Sequence, residues 1–352
     1  SASASASASA SASASASAVP DFGEFGNENQ HDSDSFLGKC LEVFGLDANP
    51  QLQVYAETTR TCDRCNKRTG GPEPMPRMTI HGRERHAMKV SVQDVIESMV
   101  GKEDSHEIER CEDGCREHHK HTKVVKPFTF SNTAMIHWAM GEFIESTGGE
   151  WITKKLNNRN KVPTEIKLKH HHEGRMVDYT LRACIVHIGS GSMNTGHYTA
   201  IAQHPDKKYY YHNDHNVSHI ENINARLESI RESPSYNIYV AIYSRHENFD
   251  GLEATGGSGL TNPRNACYMA AAFVALTYTP LFRTAILGTF NGSCEDTTTP
   301  TMKCVLGRVV HRMSINRGQR NELRRVRKFI TEGRVDPEPT PKPKPLPPLL
   351  AG

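Results

Sequence analysis

The chain holds no apolar run approaching the roughly 20 residues that a bilayer-spanning helix needs. Its start shows none of the charged-then-apolar pattern of a signal peptide, so secretion is not expected. It has no surplus of one charge: 42 basic against 40 acidic residues leave +2, too little to draw it as a whole to nucleic acid. It also lacks the even, dense cysteine spacing of a secreted disulfide framework. The nine cysteines are odd in number, and four of them form two short pairs. That pattern suits reduced thiols used for metal binding or catalysis, and the expected location is cytoplasmic or nuclear. Hydrophobic residues make up 36% of the chain, enough for a core once the low-complexity ends are set aside.

Residues 1–18 alternate Ser and Ala without hydrophobic period or turn chemistry, and residues 336–352 are Pro-rich with interspersed Lys. Asn248 to Leu260 carries a Gly-Gly-Ser-Gly core. The expected division is a low-complexity segment (1–20), a large unit (21–250), a flexible connector (251–259), a second unit (260–335) and the Pro-rich tail (336–352). Phe36, Leu37, Cys40, Leu41 and Phe44 fall on one helical stripe that Asp32 or Ser33 can cap. Residues 150–178, polar and His-rich, read as exposed loop or hairpin. Four β signals follow, beginning at Tyr179, His197, Lys208 and Tyr236, and predict an antiparallel sheet. Val217 to Glu232 has a weak helical period. The basic helix from Arg317 to Arg334 reads as a solvated face. The whole is α+β.

Three constellations carry chemistry. Cys62 and Cys65 are separated by two residues and Cys111 and Cys115 by three; two such pairs can complete a four-thiolate structural zinc site. His197 starts a strand after the glycine-rich loop Gly189 to Gly196, and Asn213 and Asp214 end the next strand. A hairpin makes these places neighbours, so a polar side chain can hold the imidazole in one tautomer. Cys267 stands where an irregular Asn/Pro/Arg/Asn loop becomes an Ala-rich helix that runs to Pro280. Asn265 is the expected N-cap, and the helix dipole there favours the thiolate.

Gly259-Leu260-Thr-Asn262-Pro-Arg264-Asn265-Ala266-Cys267-Tyr268-Met269, Gly196-His197-Tyr198-Thr-Ala200 with Asn213-Asp214, and Gln30-His-Asp32-Ser-Asp-Ser35-Phe36-Leu37 together resemble the Cys, His and Gln boxes of the ubiquitin-specific proteases. The resemblance implies a papain-like fold with fingers, palm and thumb. It also implies a cysteine protease that cuts after the C-terminal Gly of ubiquitin. Cys267 would be the nucleophile, His197 the base, Asn213 its orienter, Asp214 an auxiliary and Asn262 the oxyanion donor. Asp32 would meet the basic ubiquitin tail, with Gly196 and Tyr198 on the substrate side, and zinc would hold the fingers. The partners implied are ubiquitin or ubiquitinated proteins, with room for an activating protein. The order here, Gln box, cysteine pairs, His box, then Cys box, is a circular permutation of the family's order. Arg264 in place of Gly, Ala266 of Thr, Ala270 of Asn and Ser35 of Glu are departures. Other readings are a ubiquitin-binding scaffold without catalysis, a protease of its own polyprotein or of a ubiquitin-like modifier, and a zinc-containing nucleic-acid binder.

Overall fold

The computed structural model describes residues 21–27, 29–80, 91–98, 103–111, 114–116, 118–125, 128–145, 151–156, 159–189, 195–245, 259–290, 301–315 and 322–332. The Ser-Ala run, most of the Gly-Gly-Ser-Gly connector and the Pro-rich tail lie outside them. After a short 3-10 turn at Gly23–Gly26, helix α1 (Ser33–Phe44) begins where the stripe predicts. Asp32 caps it by accepting the Ser35 N–H at 2.7 Å, and Gly45 ends it at φ +65°.

Strands β1 (Val54–Cys62) and β2 (Arg68–Met75) form a long hairpin, followed by β3 (Met78–Ile80) and helix α2 (Val92–Ser98). Strands β4 (Glu103–Arg110), β5 (His118–Val125) and the short β6 (Thr129–Phe130) complete one sheet in the order β2-β1-β5-β4, with β6 on β1. The two cysteine pairs sit at the turns of this sheet.

Strand β7 (Thr133–Trp138) leads to the hairpin β8 (Gly141–Glu145) and β9 (Trp151–Lys155). Then come β10 (Glu165–Lys169), β11 (Met176–Ile188), β12 (His197–Gln203), β13 (Tyr209–Asn213), β14 (Asn216–Ile220), helix α3 (Ile223–Glu232) and β15 (Tyr236–Arg245). They form the large sheet β14-β13-β12-β11-β15-β7-β3, with β10 on β11. Its pairings are antiparallel except β3 with β7. The stretch 150–178, expected as exposed loop or hairpin, holds the β10–β11 hairpin but is not exposed throughout. His170 within it is 4% exposed and bonds Asn132, and His171 stacks on Tyr55 at 3.6 Å.

Four helices close the chain: α4 (Cys267–Tyr278), α5 (Pro280–Thr289), α6 (Met302–Ser314) and α7 (Glu322–Glu332). Every residue of α4 is buried, as its Ala-rich, all-round apolar sequence requires. It packs between β12 and β11 on one side and α1, α5 and α6 on the other. Pro280 ends α4 and opens α5, which bends away by 93°. No single described helix is long and apolar enough to cross a membrane.

Two expectations change here. Arg325 is buried against Glu322, so the basic helix α7 is not a uniformly solvated face. Cys304 is disulfide-bonded, which departs from reduced thiols throughout, although the other seven described cysteines are free.

Candidate active site

The loop before α4 is built against the β13–β14 turn. The Leu260 N–H donates to Asp214 O at 3.0 Å. A Cβ on Gly259 would lie 2.5 Å from the His215 carbonyl, so only glycine permits this approach. Asn262 ties the two segments: its Nδ2 donates to Asp214 Oδ2 at 3.3 Å, and its Oδ1 accepts the Ala266 N–H at 2.7 Å. Arg264 and Asn265 follow at φ +56° and +45°, both in the left-handed region. Asn265 is not the N-cap. That position falls to Ala266, which offers no side-chain acceptor, and Asn262 Oδ1 ties down the Ala266 N–H itself. Cys267 opens α4, 2% exposed, at the positive end of the helix.

His197 arrives from the large sheet. Gly196 before it has φ +135°, and a Cβ there would meet Ile188 O at 2.4 Å and His187 Nε2 at 2.9 Å. The glycine lets β12 close on β11 and sets the imidazole facing α4. His197 Nε2 lies 2.7 Å from Asn213 Oδ1, which leaves Nδ1 for the sulfur. The Cys267 thiol is the first cause that pushes the imidazole up to about 9. Burial works against the rise, while the Asn213 bond and the charge of Asp214 add to it. Asp214 Oδ2 stands 4.0 Å from His197 Nε2, further than from Asn262. It serves the Cys-box loop more directly than the imidazole.

The structure thus brings Cys267, His197, Asn213, Asp214 and Asn262 together. Asp32 joins through α1, where Ser33 Oγ donates to Tyr268 O at 2.8 Å. Both Asp32 oxygens are engaged, one by the Ser35 N–H and the other by the Tyr239 hydroxyl. Tyr198 is buried, its ring 4.8 Å from His187 and 5.9 Å from Tyr239, behind the imidazole rather than at an open surface. Ser33, Tyr239 and Arg327 were not foreseen as site residues. Each acts across more than 60 residues of chain, and no local pattern marks such a contact.

Away from this cluster, the four cysteine sulfurs lie within 4.8 Å of one another and are placed to hold a metal ion. Cys62 and Cys115 are 3.9 Å apart, Cys65 and Cys111 3.5 Å. Thiolates about 2.3 Å from a tetrahedral zinc are about 3.8 Å from each other, so the set fits. Backbone N–H groups of Lys67 and Cys115 hold the Cys65 thiol down to about 6. A Cβ on Gly114 would lie 2.7 Å from two of the sulfurs, so the second turn needs its extra residue to be glycine.

The family model of ubiquitin carboxyl-terminal hydrolase matches residues 5–243. The chain belongs to that family. The span matched by the hydrolase family holds Asp32, the four cysteines, His197, Asn213 and Asp214, while Asn262 and Cys267 lie beyond it. Among curated proteins no sequence relative is found. Solved structures similar to this hydrolase-family chain include the SAGA Ubp8/Sgf11/Sus1/Sgf73 DUB module bound to ubiquitin aldehyde. That match has 16% identity, a TM-score of 0.46, and covers 62% of this chain and 50% of that one. A Ubp8 point variant of the module bound to monoubiquitin matches at 17% identity and 0.46, covering 62% and 49%. The yeast module with an Sgf73 point mutant matches at 16% and 0.42, covering 61% and 48%. The chain spans about half the length of these structures' chains.

Proposed function

We propose that this chain is a thiol-dependent deubiquitinase that hydrolyses the isopeptide or peptide bond after the C-terminal Gly of ubiquitin. One observation carries the reading: the row Cys267, His197, Asn213, in which the thiol raises the imidazole and Asn213 Oδ1 lies 2.7 Å from His197 Nε2, assembled from a helix and a hairpin that are distant in sequence. A sulfur, an imidazole and an amide in that order are the parts of a Cys-His-Asn triad. With the imidazole held protonated, the thiol proton already rests on His197, and Cys267 Sγ attacks the carbonyl carbon. As the C–N bond breaks, the same proton passes to the leaving lysine amine. Water then repeats the sequence on the acyl-enzyme. Asn213 fixes the ring so that one nitrogen faces the sulfur.

Asn262 has two N–H groups on Nδ2, and one is engaged by Asp214. The other is the oxyanion donor in this reading, a role worth on the order of 10²–10³ in rate elsewhere. Gly196 lines the approach to the imidazole, and Asp32 supplies negative charge at the start of α1 for a basic tail.

The four cysteines take zinc as a closed structural site, with no position left for chemistry. Zinc holds the β2-β1-β5-β4 sheet, which in this reading grips the body of ubiquitin. The chain is a circularly permuted member of its family. The turn at Gly23–Gly26 packs on the end of α7, where a Cβ on Gly26 would lie 2.8 Å from Thr331 Cγ2. Moving chain ends is cheap where such segments meet at a surface.

Labelling with a ubiquitin C-terminal electrophile tests the function. The expected outcome is one adduct, mapped to Cys267, with hydrolysis of a ubiquitin–fluorophore conjugate lost in Cys267→Ala. An unlabelled wild type that still binds ubiquitin would point to a scaffold instead.

A further inference from the structure

We propose that Arg327 of helix α7 is a positioning residue for the nucleophile: its guanidinium holds the strained loop that aims Asn262 and Cys267. Arg327 Nη1 donates to Pro263 O and to Arg264 O, each at 2.9 Å. Two successive carbonyls converge on one nitrogen because Arg264 and Asn265 are both left-handed. That conformation costs a non-glycine residue about 1–2 kcal/mol and persists only where something outside the loop imposes it.

In a trans peptide the N–H points opposite to the carbonyl. With both carbonyls turned to α7, the N–H groups of Arg264 and Asn265 are turned away from it. The loop then delivers Ala266 N–H to Asn262 Oδ1, which fixes the residue before Cys267, since α4 has no side-chain cap of its own.

The strut itself is rigid. Leu323 and Val326 of α7 are in the core, and Glu322, 3% exposed, pairs with Arg312 at 2.9 Å and Arg325 at 3.2 Å. The guanidinium also lies beside Tyr268, the residue after the nucleophile. The basic cluster on α7 thus divides by face: Arg325 packs inward, Arg327 reaches the loop, and Arg324 is exposed.

The turnover part of the test rests on the deubiquitinase reading; the alkylation part does not. In the full chain, Arg327→Ala is expected to slow iodoacetamide alkylation of Cys267, mapped by mass spectrometry, at least tenfold. It is expected to lower kcat on a ubiquitin–fluorophore conjugate on the order of 10²-fold, with KM within about twofold. Millimolar guanidinium should restore part of both in Arg327→Ala and neither in wild type. Adding Arg264→Gly, which removes the left-handed penalty, should also recover part of the loss. Arg324→Ala is the control and should match wild type. Arg327→Met keeps the stem but removes both donors, and covers the case in which the alanine variant fails to fold. A folded Arg327 variant with wild-type alkylation and kcat overturns the proposal, as does a loss that neither guanidinium nor Arg264→Gly relieves. Slowed alkylation in a protein whose wild type cleaves no ubiquitin conjugate would sink the function and leave the strut standing.

Discussion

Asn213 and Arg264 show what single residues contribute. The Asn213 amide holds His197 at 2.7 Å and helps push the imidazole up to about 9. His197 must be protonated to release the amine, so the basic limb of kcat/KM against pH is expected near 9. Asn213→Ala should lower kcat/KM about tenfold, a general-base-sized effect only partly replaced by water, and move that limb to lower pH. A limb unmoved in the variant would mean that Asn213 does not face the imidazole in solution. Arg264 is a non-glycine residue at φ +56°. Arg264→Gly should stabilise the fold by about 1 kcal/mol, read as a higher urea midpoint.

At the scale of elements, one helix end and one turn decide the local structure. Asp32 caps α1 and accepts from Tyr239. Asp32→Ala should cost about 1 kcal/mol from the cap alone, measured by urea unfolding of the Cys267→Ala background. The turn at Gly114 leaves no room for a methyl group between two sulfurs 2.7 Å away. Gly114→Ala should therefore reduce bound zinc below one per chain by elemental analysis, while leaving Cys267 alkylation at its wild-type rate. Loss of alkylation in that variant would mean that the finger sheet and the catalytic helix fold as one unit.

For the molecule as a whole, titration sets a stability profile. His204 is stacked on Tyr278 at 3.9 Å and faces His212 at 2.9 Å, Nε2 to Nε2. Burial pulls His204 down to about 4 and His187 to about 4, and holds His212 well below the ordinary 6.5. The unfolded chain then binds more protons between about 4 and 6.5, so stability falls as the pH drops through that window. His197 acts in the opposite sense. Its raised value means the folded state binds the extra proton between 6.5 and about 9, and that stability is lost as the pH rises. Asp34, pushed up to about 7 by burial, opposes the three buried histidines in that window. His204→Phe should therefore flatten the fall in melting temperature between about 6.5 and 4, read by calorimetry; an unchanged slope would contradict this arrangement. The permutation has its own test at this scale. A rebuilt chain that starts at residue 259, joins 332 to 21 through a short linker and ends at 245 should fold and label at Cys267.

Much of the site was legible because its parts are local. A Cys at the start of an apolar helix, a His after a glycine-rich loop and two close cysteine pairs are patterns of a few residues each, and α1 begins at its predicted cap. The structure alone decided what depends on distant surfaces meeting. Asn265 lost the cap position to Ala266 because the loop turns left-handed. Arg325 and Arg327 left the solvated face because α7 packs on α6 and on the Cys-box loop. His170 is buried because β6 and β10 close over it. Sequence spacing reports periodicity along one element; a hydrogen bond spanning 63 residues, such as that from Arg327 to Arg264, exists only once the elements have packed.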